Sequence, residues 1–187
     1  MLNICLLHGV LPRKCMHTII APPCKNKKED ITDSSNYRPV SLATVILKLF
    51  EHYILTCISS FTATGDNQFG FKAQHDTDII MCVYTLTQTV SYLTKHNSNV
   101  YSVFLNASRA FDRTNHSLLF KKLIFRKVPV CWVRLLASWY GNQQMLVKWG
   151  NTYSEPFHVT NGVRQGGVLS PYLYALYLDE LESETNE

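Results

Sequence analysis

Residues 103–116 read VFLNASRAFDRTNH, and the reading of this stretch decides the fold class. Tyr101, Val103 and Leu105 alternate with Ser102 and Phe104, the two-residue period of a strand. The run stops at Asn106, crosses a polar turn and enters an amphipathic pattern at Asn115–His116. Such a strand presents the polar residue at its C-terminal end. Helical periodicity on both sides of it predicts an α+β domain with few strands.

Upstream, Leu2 to Leu11 carries a helical apolar face stopped by Pro12, and HTIIAP at 17–22 is β-prone until Pro22–Pro23 ends it. CKNKKEDITDSSN (24–36) reads as a polar loop holding Lys25, Lys27 and Lys28. YRPVSL (37–42) is extended, because Pro39 disfavours the helical conformation at Arg38. Val45, Ile46, Leu49, Phe50, Tyr53, Ile54, Cys57 and Ile58 predict an amphipathic helix over 43–60. TGDNQFGF (64–71) reads as a turn with a short aromatic segment, and a second long helix is predicted from Asp76 to about Leu93.

Downstream, Leu118, Leu119, Leu123 and Ile124 predict one helix. Val133, Leu135, Leu136, Trp139 and Tyr140 predict another, between Pro129 and Gly141. Residues 144–149 and 156–159 alternate like two strands joined at Gly150–Asn151. After a glycine-punctuated turn at 160–167, Ser170 as N-cap and Pro171 as first helical residue open a helix to about Leu181.

With 187 residues and 46% apolar composition the chain can bury one substantial core. The formal charge is +4, unevenly spread. Residues 101–150 hold Arg109, Arg113, Lys121, Lys122, Arg126, Lys127, Arg134 and Lys148 against Asp112 alone, whereas acids dominate after 150. A basic middle suits a polyanionic partner, although a solvated helix face gives the same count. The six cysteines form no C-x-x-C pair and the histidines complete no zinc spacing, so reduced thiols of an intracellular protein are expected, nuclear or cytoplasmic. No apolar run approaches the roughly 20 residues of a membrane span.

Four stretches, in this order, resemble the reverse transcriptase domain of LINE-type (non-LTR) retrotransposons. They are IIAPPCKNKKED…NYRPVSL (19–42), DNQFGFKAQHDTD (66–78), the opening stretch, and NGVRQGGVLSPYLYALYLDEL (161–181). The family's first catalytic motif usually reads F-L-D-x-S-K-A-F-D, and Asn106 stands where its metal-binding Asp belongs. The resemblance implies a partial right-hand polymerase fold without a thumb. Residues 1–100 would be mainly fingers, and 101–187 an incomplete palm with a fingers insertion.

It also implies roles. A lysine of the fingers loop (Lys25, Lys27 or Lys28, left open) and Arg38 would meet the triphosphate of an incoming dNTP. Arg38 would do so with a bidentate fork held by Pro39. Phe111 would close the space beside the ribose 2′ position. Gln165 and Gly166 would face the nucleotide. Arg164, Gly167, Ser170 and Pro171 would face the template side of an RNA/DNA template-primer. Tyr177-Leu178-Asp179-Glu180 looks like Y-x-D-D but lies at helical spacing, and is expected to be the polar end of a helix instead.

Active members use Mg²⁺ held by three carboxylates. With an amide at residue 106 and no Y-x-D-D, no metal ligands are assigned here and no cofactor is expected. Losing one preorganised electrostatic contact can cost roughly 100- to 1,000-fold in rate. The expectation is therefore a catalytically inactive fragment. A non-catalytic RNA/DNA-binding remnant with weak affinity, or a poorly folded product of a decayed element, is the alternative. No membrane partner is expected.

Overall fold

A computed structural model describes residues 2–65, 68, 70 and 76–179. The segment after Pro12 supplies the first strand. Helix α1 (Leu2–His8) ends earlier than the periodicity predicts, because Gly9 adopts φ +66° and turns the chain. A single turn, α2 (Arg13–Met16), leads into β1 (His17–Ala21). Strand β2 (Val40–Leu42) runs antiparallel to β1, with Ile19 opposite Leu42.

Helix α3 (Val45–Ile58) is capped by Thr44, whose hydroxyl accepts from the Leu47 N–H at 3.3 Å. Its buried stripe is Leu47, Phe50, Glu51, Ile54 and Ile58. Val45, Ile46, Leu49 and Tyr53, expected on that face, are exposed. Several consecutive apolar residues let more than one stripe fit the 3.6-residue period, and packing selected the one that includes a carboxylate. Helix α4 (Asp76–Lys95) forms as predicted, yet its apolar side, including Ile80, Val83 and Tyr84, is exposed.

The expected strand at 101–105 does not form. Residues 101–107 have no regular secondary structure, and Tyr101, Val103, Phe104 and Leu105 are exposed, Leu105 to 95%. A strand exists only where a neighbour takes its N–H and C=O groups, and no strand among the described residues pairs with this one. The polar turn that follows is real: residues 111–113 form one 3-10 turn, and Asn115 caps α5 (His116–Phe125) by accepting from the Leu118 N–H at 3.0 Å.

Helix α6 (Val130–Gly141) packs on α5 and α1, and its buried face is Trp132, Val133, Leu135, Leu136, Trp139 and Tyr140. Strand β3 (Gln144–Trp149) then lies parallel to β1, with His17 opposite Gln144 and Ile20 opposite Val147. The predicted hairpin turns at Gly150, φ +58°, but its return arm is split. Strand β4 (Thr152–Tyr153) pairs with the far end of β3, and β5 (Phe157–His158) with its start. Between them Pro156 can donate nothing to the ladder, and Ser154 stands in. Its N–H donates to the Val147 carbonyl and its Oγ accepts from the Val147 N–H, both at 2.9 Å.

Strand order is thus β2-β1-β3-β4, with β5 also on β3. The sheet draws on both sides of the expected division at residue 100. Helix α7 (Ser170–Leu178) packs on α5 and closes the core through Leu173 and Leu176. Leu169, not Ser170, is its N-cap residue, and no side chain of its own caps it. The architecture is mixed α and β around one mixed sheet. No helix among the described residues is long and apolar enough to cross a membrane.

Candidate nucleotide-binding cleft

Four segments remote in sequence wall a cleft of about 1070 Å³. The inner ends of β1 and β3 supply an apolar floor with Ile20, Met145 and Val147. The 22–39 loop, the 109–112 turn and the 161–165 turn close over it.

The loop owes its shape to short polar side chains. Asn36 is buried, and its Oδ1 accepts from the Asn26 N–H at 3.1 Å, while its Nδ2 donates to the Asn26 and Asp30 carbonyls at 2.9 and 3.2 Å. Asp30 and Asp33 form Asx turns on Thr32 and Ser35, and the hydroxyls of those two residues hold both carboxyls below the usual range. Tyr37 anchors the far end, its hydroxyl donating to the Ile31 carbonyl at 2.8 Å and its ring edge-on to Trp149 at 5.0 Å. A loop so braced presents Lys25 and Arg38 to the cleft. Lys25 Nζ donates to the Ser35 carbonyl at 2.6 Å. Lys27 and Lys28 are exposed and do not line the cleft, so among the three lysines the geometry singles out Lys25.

The opposite wall is built by two turns locked together. The Val163 N–H donates to the Phe111 carbonyl at 2.8 Å and the Gly162 N–H to the Thr114 carbonyl at 2.7 Å. His116 Nε2 lies 2.7 Å from the Gly162 carbonyl, donating in that tautomer. Gly162 has φ +93°, and a Cβ there would sit 2.9 Å from the Phe111 and Asp112 carbonyl oxygens, so no other residue fits. Phe111 lines the cleft with its ring tilted against Tyr174 at 5.0 Å. Gln165 lines it too, half-buried, and its Oε1 has no hydrogen-bond partner among the described residues. Gly166, φ +97°, lies so close to β2 that a Cβ would be 3.1 Å from the Ser41 carbonyl.

Of the residues singled out in the sequence, Lys25, Arg38, Phe111 and Gln165 therefore meet in one cavity, with Gly166 at its margin. Asn106 does not join them; it is exposed, on the irregular segment. Arg164 does line the cavity wall, yet it is only 2% exposed. Its guanidinium pairs with Glu51 and lies 4.4 Å from the centre of the Trp139 ring, so it faces inward rather than toward the template side expected of it. Ser170 is buried and caps nothing, Gly167 is buried beside it, and Pro171 is half-buried on the first turn of α7. Asp179 ends α7 as expected, pairing with Arg126 and accepting from the Gly65 N–H at 2.7 Å. Glu180 and most of the 66–78 motif lie outside the described residues.

Two lining residues and one behind the wall were not singled out or were undervalued. Arg109 holds a left-handed backbone, φ +51°, at the cleft edge, and Asp112 is the acid beside it. Glu51 supports the wall from behind. Its signal was available: a charge at the centre of the Leu47, Ile54, Ile58 stripe needs a buried partner.

The sequence pattern described as reverse transcriptase (RNA-dependent DNA polymerase) matches residues 25–187. The chain is 34% identical over 170 residues to the probable RNA-directed DNA polymerase from transposon X-element of Drosophila melanogaster, covering 88% of this chain and 18% of that protein. It is 31% identical over 159 residues to the corresponding protein from transposon BS (83% and 17%) of the same organism. To the RNA-directed DNA polymerase from mobile element jockey, also of that fly, it is 32% identical over 162 residues (82% and 17%). The chain belongs to the reverse transcriptase family. Its relatives are polymerases of LINE-type, non-LTR retrotransposons, and it spans less than a fifth of the length of these three.

That family implies Mg²⁺, a hard cation that takes oxygen ligands, carboxylates above all. The described residues do not fit a pair of such ions. Residue 106 offers a carboxamide outside the cleft, and among the described residues Asp112 is the single carboxylate lining it. No group of three His, Cys, Asp or Glu side chains that could hold a metal occurs among the described residues.

Proposed function

We propose that this chain is the nucleotide-binding part of a retrotransposon RNA-directed DNA polymerase and that, by itself, it does not polymerise. One observation carries the binding role: Lys25 and Arg38, Phe111, and Gln165 come from three separate stretches and converge on one cleft. Lys25, Arg38 and Arg109 give its mouth three cations against Asp112. A triphosphate is the ligand such a mouth selects, since charge-assisted hydrogen bonds to phosphate are strongest from guanidinium forks. Phe111 walls the sugar side, where a ring excludes a 2′-hydroxyl by its bulk. Gln165 offers an amide to the sugar or base, and Gly166 lets a base approach the backbone closely. Gly167 and Pro171 shape the template side, with Arg164 and Ser170 bracing it from within.

The inactivity follows from Asn106, which brings an oxygen but no charge to the position of a metal-binding carboxylate. The test is primer extension on an RNA template with Mg²⁺, run beside a fluorescent dNTP titration. Nucleotide binding without extension is expected, and Asn106→Asp alone does not restore synthesis. Extension by the unsubstituted chain overturns the inactivity, and absence of dNTP binding overturns the role of the cleft.

A second reading, a non-catalytic RNA/DNA-binding remnant, is favoured by the basic stretch 101–150. Against it, several of those cations are already engaged. Lys122 donates to the Tyr177 carbonyl at 2.6 Å, Arg126 pairs with Asp179, and Arg134 donates to the Leu6 and Leu7 carbonyls at 3.2 and 2.9 Å.

A further inference from the structure

We infer that Glu51 is a positioning residue for the cleft, acting through the 164–169 turn to hold Gln165 and Gly166 in place. The inference rests on the nucleotide reading above. Glu51 is fully buried on α3, a position an apolar side chain would fill at no electrostatic cost. Its two oxygens do different work. One takes Arg164, the residue just before Gln165. The other accepts the backbone N–H groups of Val168 and Leu169, just after Gly166 and Gly167. A single carboxylate thus grips both ends of the segment that carries the cleft residue.

The second grip also sits at the start of α7, on its N-cap residue Leu169 and the residue before it. The first N–H groups of a helix have no partner within it, and α7 has no capping side chain of its own. Glu51 supplies a negative charge there from a different helix, where the helix dipole favours it. From the other side, the Ser41 N–H donates to the Gln165 carbonyl at 2.6 Å, and Gly166 is pressed against Ser41. The turn is pinned between β2 and α3, and its tip, Gln165 and Gly166, is left facing outward. Arg164, held over the Trp139 ring, cannot shift without dragging that tip.

The experiment compares Glu51→Gln with Ile54→Val, a buried apolar neighbour on the same helix, at a temperature where circular dichroism reports both folded. Affinity for a fluorescent dNTP and hydrogen exchange at the Val168 and Leu169 amides are measured on the full chain. Glu51→Gln is expected to bind roughly tenfold more weakly and to exchange faster at those two amides, as loss of a hydrogen-bonded charge implies. Ile54→Val keeps both values. If affinity instead falls with stability alone in both variants, the assignment is overturned. Should Glu51→Gln fail to fold, exchange in the unsubstituted chain decides: the two amides are expected to be as slow as that of Leu135, and exchange as fast as at Asn99 overturns the assignment. Failure of the unsubstituted chain to bind dNTP, by contrast, overturns the nucleotide reading and the assignment with it.

Discussion

Tyr140 carries its hydroxyl inside the core, and burial pushes its pKa from 10.0 up to about 12. The unfolded chain then ionises first, so the native state binds the extra proton between those values. Stability is full below pH 10 and falls as pH rises toward 12, by roughly 3 kcal/mol from this group. Urea denaturation across that range checks it, and Tyr140→Phe is expected to flatten the step. Arg38→Ala should weaken dNTP binding roughly ten- to a hundredfold without changing the melting temperature, since Arg38 is exposed and its loss removes charged contacts to a ligand. Gly162→Ala should cost about 1–3 kcal/mol in a chemical melt, because the left-handed backbone and two carbonyls exclude a Cβ. At this scale the cleft was largely legible. Arg38 beside Pro39, Phe111 and Gln165 were all visible in the chain. Arg164 was misread because an arginine's partner is a matter of packing: nothing in G-V-R-Q-G-G says that a glutamate more than a hundred residues upstream points at it.

Among the elements, the helices were read more securely than their faces. In α3 the presence of a helix follows from its length and the Thr44 cap, whereas the buried stripe depends on which neighbours arrive. Ile54→Ala is therefore expected to cost about 2–5 kcal/mol, and Ile46→Ala to stay within about 0.5 kcal/mol, by equilibrium denaturation. Equal costs would mean that α3 is rotated from the orientation described. The alternation at 101–105 is real, but alternation only says what a strand would bury if it had a partner. The split return arm of the β3 hairpin has the opposite lesson: Pro156 and Ser154 announced an interruption that the period-two pattern passed over.

For the molecule as a whole, charge location matters more than charge total. If the cleft is the polyanion-binding site, single-stranded RNA should bind with a log–log salt slope of about −2 or shallower, the value for phosphates neutralised by Lys25, Arg38 and Arg109. A slope near −6, the value roughly expected if all the cations of 101–150 met phosphate, would restore the remnant reading. Neither total charge nor composition could foresee this, because Lys122, Arg126 and Arg134 are engaged only once α1, α6 and α7 have come together. The parallel pairing of β1 with β3 has a consequence for biosynthesis. His17 emerges from the ribosome long before Gln144, so β1 must wait, half-zipped to β2, until more than a hundred further residues are translated. A nascent chain halted before residue 144 would leave that strand's second edge open to whatever β-prone neighbour is at hand.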